Sequence, residues 1–447
     1  METPIYTRLS DYHKKNRISF AMPGHKNLRG LSPDLQKCDV TELTATADLH
    51  HEDKSVKRAN ELLSRLYGSH YSYIMTGGST AGVQAMISSV LKPGDTLLAS
   101  ADCHMSVINT CALCGFRLRL IPVRLDKEYG IPAGIEDFEI DKDIKAVLVT
   151  SPDYYGRVKD IASIAEKCHM SGIPLLVDEA HGAHFIADTS FPETAVRLGA
   201  DAVCQSAHKT LNALTGAAYL HICSDRMSRT RVKRALASFQ SSSPSYPIAA
   251  SADAARAVLA EADYKGIIKE CMEFKAALCK ATGICFPEND DPTRLVLSFA
   301  GYNTTGFEVS ERLSSYYGID VEMADLYNIV LIVTPWNTHG DFMELFRALR
   351  DITGALTVRD SIDPDIPPVF SETVDLSEGW YAETELVDID SACGRKAASV
   401  VSSYPPGTGI IITGAAITKE QTDYIKRLIS AGAEIAGLID NKIEVVR

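Results

Sequence analysis

The stretch AVCQSAHKT, Ala202 to Thr210, decides how the chain is read. AVCQ reads as a short buried strand, and it runs directly into Ser206, Ala207, His208, Lys209 and Thr210. A lysine placed there stands at the carboxyl end of a strand, the edge where open α/β sheets bind ligands. Beside a histidine and two hydroxyls, Lys209 is positioned to form a Schiff base, and partial desolvation would lower its pKa toward reactivity. The bland alternative is a solvated surface lysine, which is where most lysines are found.

Working outward, the same pattern repeats. TLLAS (96–100), LRLIPV (118–123), AVLVTS (146–151) and PLLVDEA (174–180) are further short apolar runs. Between them lie helical patterns: SVKRANELLSRLYG, ending at Gly68; TAGVQAMISSVL, closed by Lys92-Pro93-Gly94-Asp95; and SIAEKCHMSG, just before PLLVDEA. Strand, helix, strand at this spacing predicts an α/β fold with a mainly parallel sheet covered by helices. Strands buried on both faces should read as continuous apolar runs, and these mostly do. After QSSSPSYP (240–247) one long helix is predicted over about 249–281, then a smaller α/β section. The Pro- and Asp-rich residues 356–375 read as a linker or extended arm. The expected division is an N-terminal arm (1–54), a large ligand-binding domain (55–270), a small α/β domain (271–355) and a C-terminal domain (376–447).

Asp178 strengthens the reading of Lys209. It ends the run PLLV, so it too sits at a strand's carboxyl edge. A pyridoxal phosphate enzyme needs a carboxylate against the pyridine nitrogen, so that the ring can act as an electron sink. Thr76-Gly77-Gly78-Ser79-Thr80-Ala81-Gly82 supplies a phosphate site: glycines allow close approach, hydroxyls donate, and a helix starting near Ala81 points its N-terminus at the anion. No Lys follows the last glycine, so the Walker pattern is absent. Asp178, Glu179, His181 and His184 could instead suggest a metal site, but HGAH lacks the helical spacing of a zinc protease, and no metal is expected.

Composition bounds the partners. With 447 residues, 45% apolar and 23% charged, the chain has ordinary globular composition. Its net charge of −13 argues against nucleic acid, since phosphate neutralisation needs surplus Lys and Arg. No run is apolar for the ~18 to 20 residues a membrane helix needs. The stretch METPIYTRLSDYHKKNR lacks a signal-peptide core, and 11 scattered cysteines form no secreted framework, so the cytoplasm is expected. Cys111 and Cys114 have CxxC spacing, but their segment reads as a buried helix.

The chain resembles the ornithine/lysine/arginine decarboxylase family, compact fold-type-I pyridoxal phosphate enzymes. The likeness rests on FAMPGHK (20–26), DVTEL with ADLH (39–50), TGGSTAG, CHMSV (103–107), TSPDYYG (150–156), VDEAHGAH (177–184), QSAHKTL (205–211), QSSSPSYP and YPPG (404–407), in family order. The resemblance implies that Lys209 carries pyridoxal 5'-phosphate and Asp178 pairs with its ring nitrogen. It implies that His104 stacks on the ring, and that Gly78, Ser79, Thr80, Ser206 and His208 surround the phosphate. His181 would lie near the ring oxygen or support Asp178. Ser242, within Ser241 to Ser243, would reach the phosphate of a neighbouring subunit, making a homodimer or larger homo-oligomer with shared active sites. The implied reaction is decarboxylation of arginine, lysine or ornithine to a polyamine precursor or related diamine, with Lys209 or His208 reprotonating Cα. Gly414-Ala415-Ala416 stands where the family commonly has Pro-Gly-Glu, and Glu322 or Asp325 is a candidate replacement acid. Transamination or elimination, with Arg294 as a carboxylate-binding arginine, and a non-catalytic cofactor-binding regulator are the alternatives.

Overall fold

Short strands of aliphatic residues that avoid water on both sides have to be stacked between helices, and the chain is arranged around that need. The computed structural model describes residues 18–20, 47–52, 54–259, 261–359, 373–403 and 407–447. FAMPGHK beyond Phe20, DVTEL and the YPP of YPPG lie outside these residues. The large sheet takes up β1 (Tyr71–Met75), β2 (Thr96–Ser100), β3 (Arg117–Ile121), β4 (Ile144–Thr150), β5 (Leu175–Asp178), β6 (Ala202–Gln205) and β7 (Ala218–Ile222). A smaller antiparallel sheet follows, made of β8 (Arg294–Ser298), β9 (Met323–Ala324) and β10 (Asn328–Ile332). β11 (Val374–Asp375) then returns to the first sheet. The eight strands of the large sheet run in the order β11-β3-β2-β4-β5-β6-β7-β1. β3, β2, β4, β5 and β6 pair in parallel, whereas β6–β7, β7–β1 and β3–β11 are antiparallel.

Alternate residues of the central strands enter opposite cores, as a period of two requires. Val147, Val149, Val177 and Val203 pack on one side. Ala146, Leu148, Leu176 and Cys204 pack on the other. Helices α1 (Lys54–Tyr67), α2 (Gly78–Val90), α3 (Met105–Cys114), α4 (Ile161–Met170), α5 (Arg229–Phe239), α6 (Tyr246–Leu259) and α7 (Tyr264–Thr282) accompany the large sheet. α8 (His339–Thr353) follows the small sheet, and α9 (Lys419–Ser430) belongs to the C-terminal segment. That segment docks on the large unit, where the Met105 amide donates to Gly407 O at 3.0 Å. No helix among the described residues is long and apolar enough to cross a membrane.

Four sequence expectations need correction. The glycine-rich turn enters its helix at Gly78, whose φ of +70° turns the chain sharply, so Ser79 and Thr80 already lie in the first turn. The stretch 249–281 is two helices, because the Asp263 side chain accepts from the Gly266 amide at 2.8 Å and starts α7 afresh. β11, at the end of the supposed linker, is an edge strand, with Val374 opposite Leu118. β1 and β7 carry no clear strand signal in the sequence, since their run is broken by buried polar residues. His221 binds Ser72 Oγ at 2.8 Å and Gln205 Oε1 at 3.0 Å, which satisfies those groups inside the sheet. Cys111 is buried in α3 and Cys114 is half-buried beside it, as the helical reading expected.

α2 lies close to the sheet because residue 82 has no side chain. A Cβ on Gly82 would fall inside contact distance of Cys204 Sγ and Met75 Cε. Gly82→Val is therefore expected to cost at least about 2 kcal/mol through overpacking. Gly340→Ala, where the nearest atom would be 3.7 Å away, should stay near wild type. Denaturant midpoints of the two variants check this.

Candidate active site

β5 and β6 bring the chemistry together. Asp178, the last residue of β5, stands opposite Thr150 on one side and Cys204 on the other. Two residues past Cys204, the chain turns into the short helix Ala207–Thr210 that carries Lys209. Asp178 and Lys209 thus open into one cavity of about 250 Å³ at the carboxyl edge of the sheet. Gly78, Ser79 and Thr80, from the first turn of α2, line it as well. A larger, open groove of about 1020 Å³ lies alongside Arg157 and Glu288, but holds neither Lys209 nor Asp178.

His104 lines the cavity from the start of α3, where its Nδ1 accepts from the Ser106 amide at 3.1 Å. That bond fixes the ring, and burial pushes its pKa down to about 4. Ser206 is buried just outside the cavity and donates to Ser79 Oγ at 2.8 Å. His208 lines the cavity and is oriented by Nδ1 at 3.0 Å from Ala217 O. Thr408 reaches the same space from the C-terminal segment.

Burial moves both central charges toward neutrality. It lowers the pKa of Lys209, against the opposing pull of Asp178 and Glu322. It raises that of Asp178, against the pull of Lys209. Lys209 Nζ lies 3.0 Å from His181 Nε2. His181 also meets Arg294 Nη2 at 3.1 Å through Nδ1. The hydrogen bonds of His181 therefore go to Lys209 and Arg294, and none goes to Asp178.

Several candidates fall elsewhere. Ser242 is on an exposed loop outside the cavity. Arg294 is fully buried behind His181 and does not line the cavity. Asp325 is used up structurally, accepting from Tyr155 Oη, the Tyr327 amide and Asn328. Glu322 accepts from Tyr154 Oη at 2.5 Å, and the Tyr154 ring lines the cavity. His184 is paired with Asp291 at 3.2 Å, and Glu179 binds Thr194, Gln205 and the Ala195 amide. Neither faces a metal position, and no group of three or more metal-binding side chains occurs among the described residues. At Gly414 (φ +81°) a Cβ would meet Asp375 O at 2.7 Å, so its small residue answers to packing against β11.

Sequence reading gave no role to Tyr154, Tyr155 or Asp102. Asp102 lines the cavity and pairs with Lys159 at 2.6 Å, with side chains 10% and 4% exposed. Lys159 also donates to Thr150 O, while Asp102 Oδ1 has no partner among the described residues. These residues are 57 positions apart, and only the strand order brings them together.

Comparison with known proteins places this geometry. Residues 3–285 match the family model for the Orn/Lys/Arg decarboxylase major domain, and 374–443 match that for its C-terminal domain. The chain is 34% identical to the uncharacterized protein YaaO of Bacillus subtilis (strain 168), over 98% of this chain and 96% of that protein. It is 30% identical to the arginine decarboxylase of the same organism, over 100% and 97% of the two chains. The structure of the Escherichia coli constitutive lysine decarboxylase superposes with a TM-score of 0.77 at 18% identity, covering 99% of this chain and 81% of that one. A ureidoglycine-glyoxylate aminotransferase of Bacillus subtilis shares the fold more loosely, with a TM-score of 0.55 at 15% identity over 75% and 92% of the chains.

The Asp102–Lys159 pair has a measurable signature. Lys159→Met leaves a buried carboxylate without its cation and should cost about 3–5 kcal/mol. Adding Asp102→Asn should restore more than half of that loss. Urea unfolding of the single and double variants measures both.

Proposed function

The chain belongs to the Orn/Lys/Arg decarboxylase family, and we propose that it is a pyridoxal phosphate-dependent carboxy-lyase that converts arginine, lysine or ornithine to CO2 and an amine. The observation that carries this reading is the convergence of Lys209, Asp178 and the first turn of α2 on one cavity. The donor set fits the cofactor: an amine of lowered pKa, a buried carboxylate and a hydroxyl-bearing helix N-terminus.

When bound, pyridoxal phosphate supplies an electron sink for the pair left on Cα as CO2 departs. The rest falls to the protein's own residues. Lys209 is the nucleophile. Asp178 holds a proton at the pyridine nitrogen. The amides and hydroxyls at Gly78, Ser79 and Thr80 take the phosphate, with Ser206 orienting Ser79 and His208 closing the side. His104, held by Ser106, packs against the ring. His181 supports Lys209. Tyr154 and Tyr155, bonded to Glu322 and Asp325 across to the small sheet, close the cavity and exclude water. Lys209 and His208 are the groups placed to return a proton to Cα.

Glu322, whose charge acts on Lys209, holds the cavity-lining Tyr154 and does not itself line the cavity. The burial of Arg294 behind His181 counts against the transamination reading. We further propose a soluble cytoplasmic homodimer or larger homo-oligomer, in which Ser242 of each subunit reaches its partner's phosphate, feeding polyamine synthesis and binding neither nucleic acid nor membrane. The division 1–54, 55–270, 271–355 and 376–447 is its proposed domain plan.

Purified protein with pyridoxal phosphate is expected to show a visible absorbance band that borohydride abolishes, and to release CO2 and amine from at least one of the three amino acids. Lys209→Ala should lose both. Asp178→Asn should lower kcat by about 100-fold or more, the scale for removing one preorganised electrostatic contact. A band without CO2 from any of the three would overturn the decarboxylase reading, and oxo-acid formation would then identify transamination.

A further inference from the structure

We propose that Arg294 is a positioning residue that fixes the tautomer of His181 and thereby holds Lys209 as a free amine. The proposal rests on the reading of Lys209 as the nucleophile.

The argument is one of donors and acceptors. A guanidinium carries only N–H donors and has no acceptor. With Arg294 Nη2 at 3.1 Å from His181 Nδ1, that nitrogen must offer its lone pair. A neutral imidazole then carries its single proton on Nε2. Nε2 faces Lys209 Nζ at 3.0 Å. An Nε2–H can donate to an amine lone pair, but not to an ammonium, which has none. The chain Arg294, His181, Lys209 is therefore consistent only with the unprotonated lysine, the form that attacks a carbonyl.

The surroundings hold the chain in place. Arg294 is fully buried at the start of β8, and its Nη1 donates to Tyr154 O at 3.3 Å. Residue 156 must be glycine beside it, because a Cβ there would meet Arg294 Cβ at 2.9 Å. The Tyr154 ring meets the His181 ring edge-on at a centroid distance of 4.5 Å, which limits its rotation. The charged and titratable groups acting on Lys209 are Asp178, Glu322, Arg294 and Cys204, and those acting on His181 include Lys209, Arg294, His208 and His104. Burial, with the Arg294 charge, holds His181 well below its ordinary pKa, as a neutral ring requires.

The test uses the cofactor-free full chain. Amine acylation across a pH series, read by mass spectrometry of the Lys209 peptide, gives the midpoint at which that lysine becomes reactive. Arg294→Lys keeps a donor-only cation and should leave the midpoint near wild type. Arg294→Gln, whose amide oxygen can accept from Nδ1–H, should raise it by about one pH unit, the size of shift a single buried neighbour produces. In a His181→Leu background, which already raises the midpoint, Arg294→Gln should add little. An equal shift in both backgrounds would mean that Arg294 acts by charge alone and would overturn the relay. As a check that needs no altered Arg294, nitrogen NMR of 15N-histidine-labelled protein, with the His181 signal assigned by its loss in His181→Gln, should find Nδ1 bare and Nε2 protonated. The opposite tautomer refutes the proposal. Failure to bind pyridoxal phosphate would sink the functional reading while leaving these measurements intact.

Discussion

Asp178 and Cys204 stand opposite one another in the parallel pairing of β5 with β6, and the site depends on that register. A slip of one residue would reverse which side chains enter each core and turn Val177 and Val203 into the layer now filled by Leu176 and Cys204. Because both strands are buried on both faces, such a slip is strongly disfavoured. The same apolar packing that stabilises the sheet therefore sets the relative height of Asp178 and Lys209. The carboxyl edge becomes a place where an acid and an amine meet without needing a direct bond to hold them there.

Placing charge at that edge has a cost that the neighbouring residues offset. An isolated buried ion is expensive, and a buried pair tolerates loss of one partner badly. Several buried charges near the cavity have company: Lys159 with Asp102, His184 with Asp291, Tyr155 with Asp325. Lys209 and Asp178 are different. They are shifted toward their neutral forms and are not hydrogen-bonded to one another. Perturbed groups without a fixed ionic partner, gathered in a cavity, are what a reactive site requires.

Much of this was legible in the sequence, for a physical reason. AVCQSAHKT and PLLVDEAHGAH each show a buried strand ending in a polar residue, so the strand edge and its chemistry are written in adjacent letters. The glycine-rich turn is equally local, although its helix starts earlier than the apolar pattern suggests. What escaped is long-range or polar. β1 and β7 were hidden because His221 and Ser72 satisfy one another only across strands. Asp102 and Lys159, or Tyr154 and Glu322, meet only once the sheet order is set. Arg294 reads in the sequence as a candidate partner for a substrate carboxylate, and nothing local says that its guanidinium points at a histidine.

The small sheet has two distinct relations to the large one. Through Glu322 and Asp325 it grips adjacent tyrosines of one loop, and through Arg294 it reaches His181 behind the cavity. The loop carrying Tyr154 and Tyr155 is closed on itself by Asp153, which accepts from the Tyr155 amide at 2.9 Å and the Arg157 amide at 3.0 Å, and it is tied to the large sheet where the Ser151 amide donates to Asp178 O at 3.0 Å. A displacement of the small sheet would thus disturb the cavity wall and the partner of Lys209 together. Closure of the cavity and the surroundings of Lys209 are coupled by geometry, because β8, β9 and β10 are paired in one antiparallel sheet. That coupling gives the fold a reason to place Arg294 on a strand instead of a loop: a strand held by ladder hydrogen bonds on its neighbour keeps a 3.1 Å contact where a mobile connection would lose it.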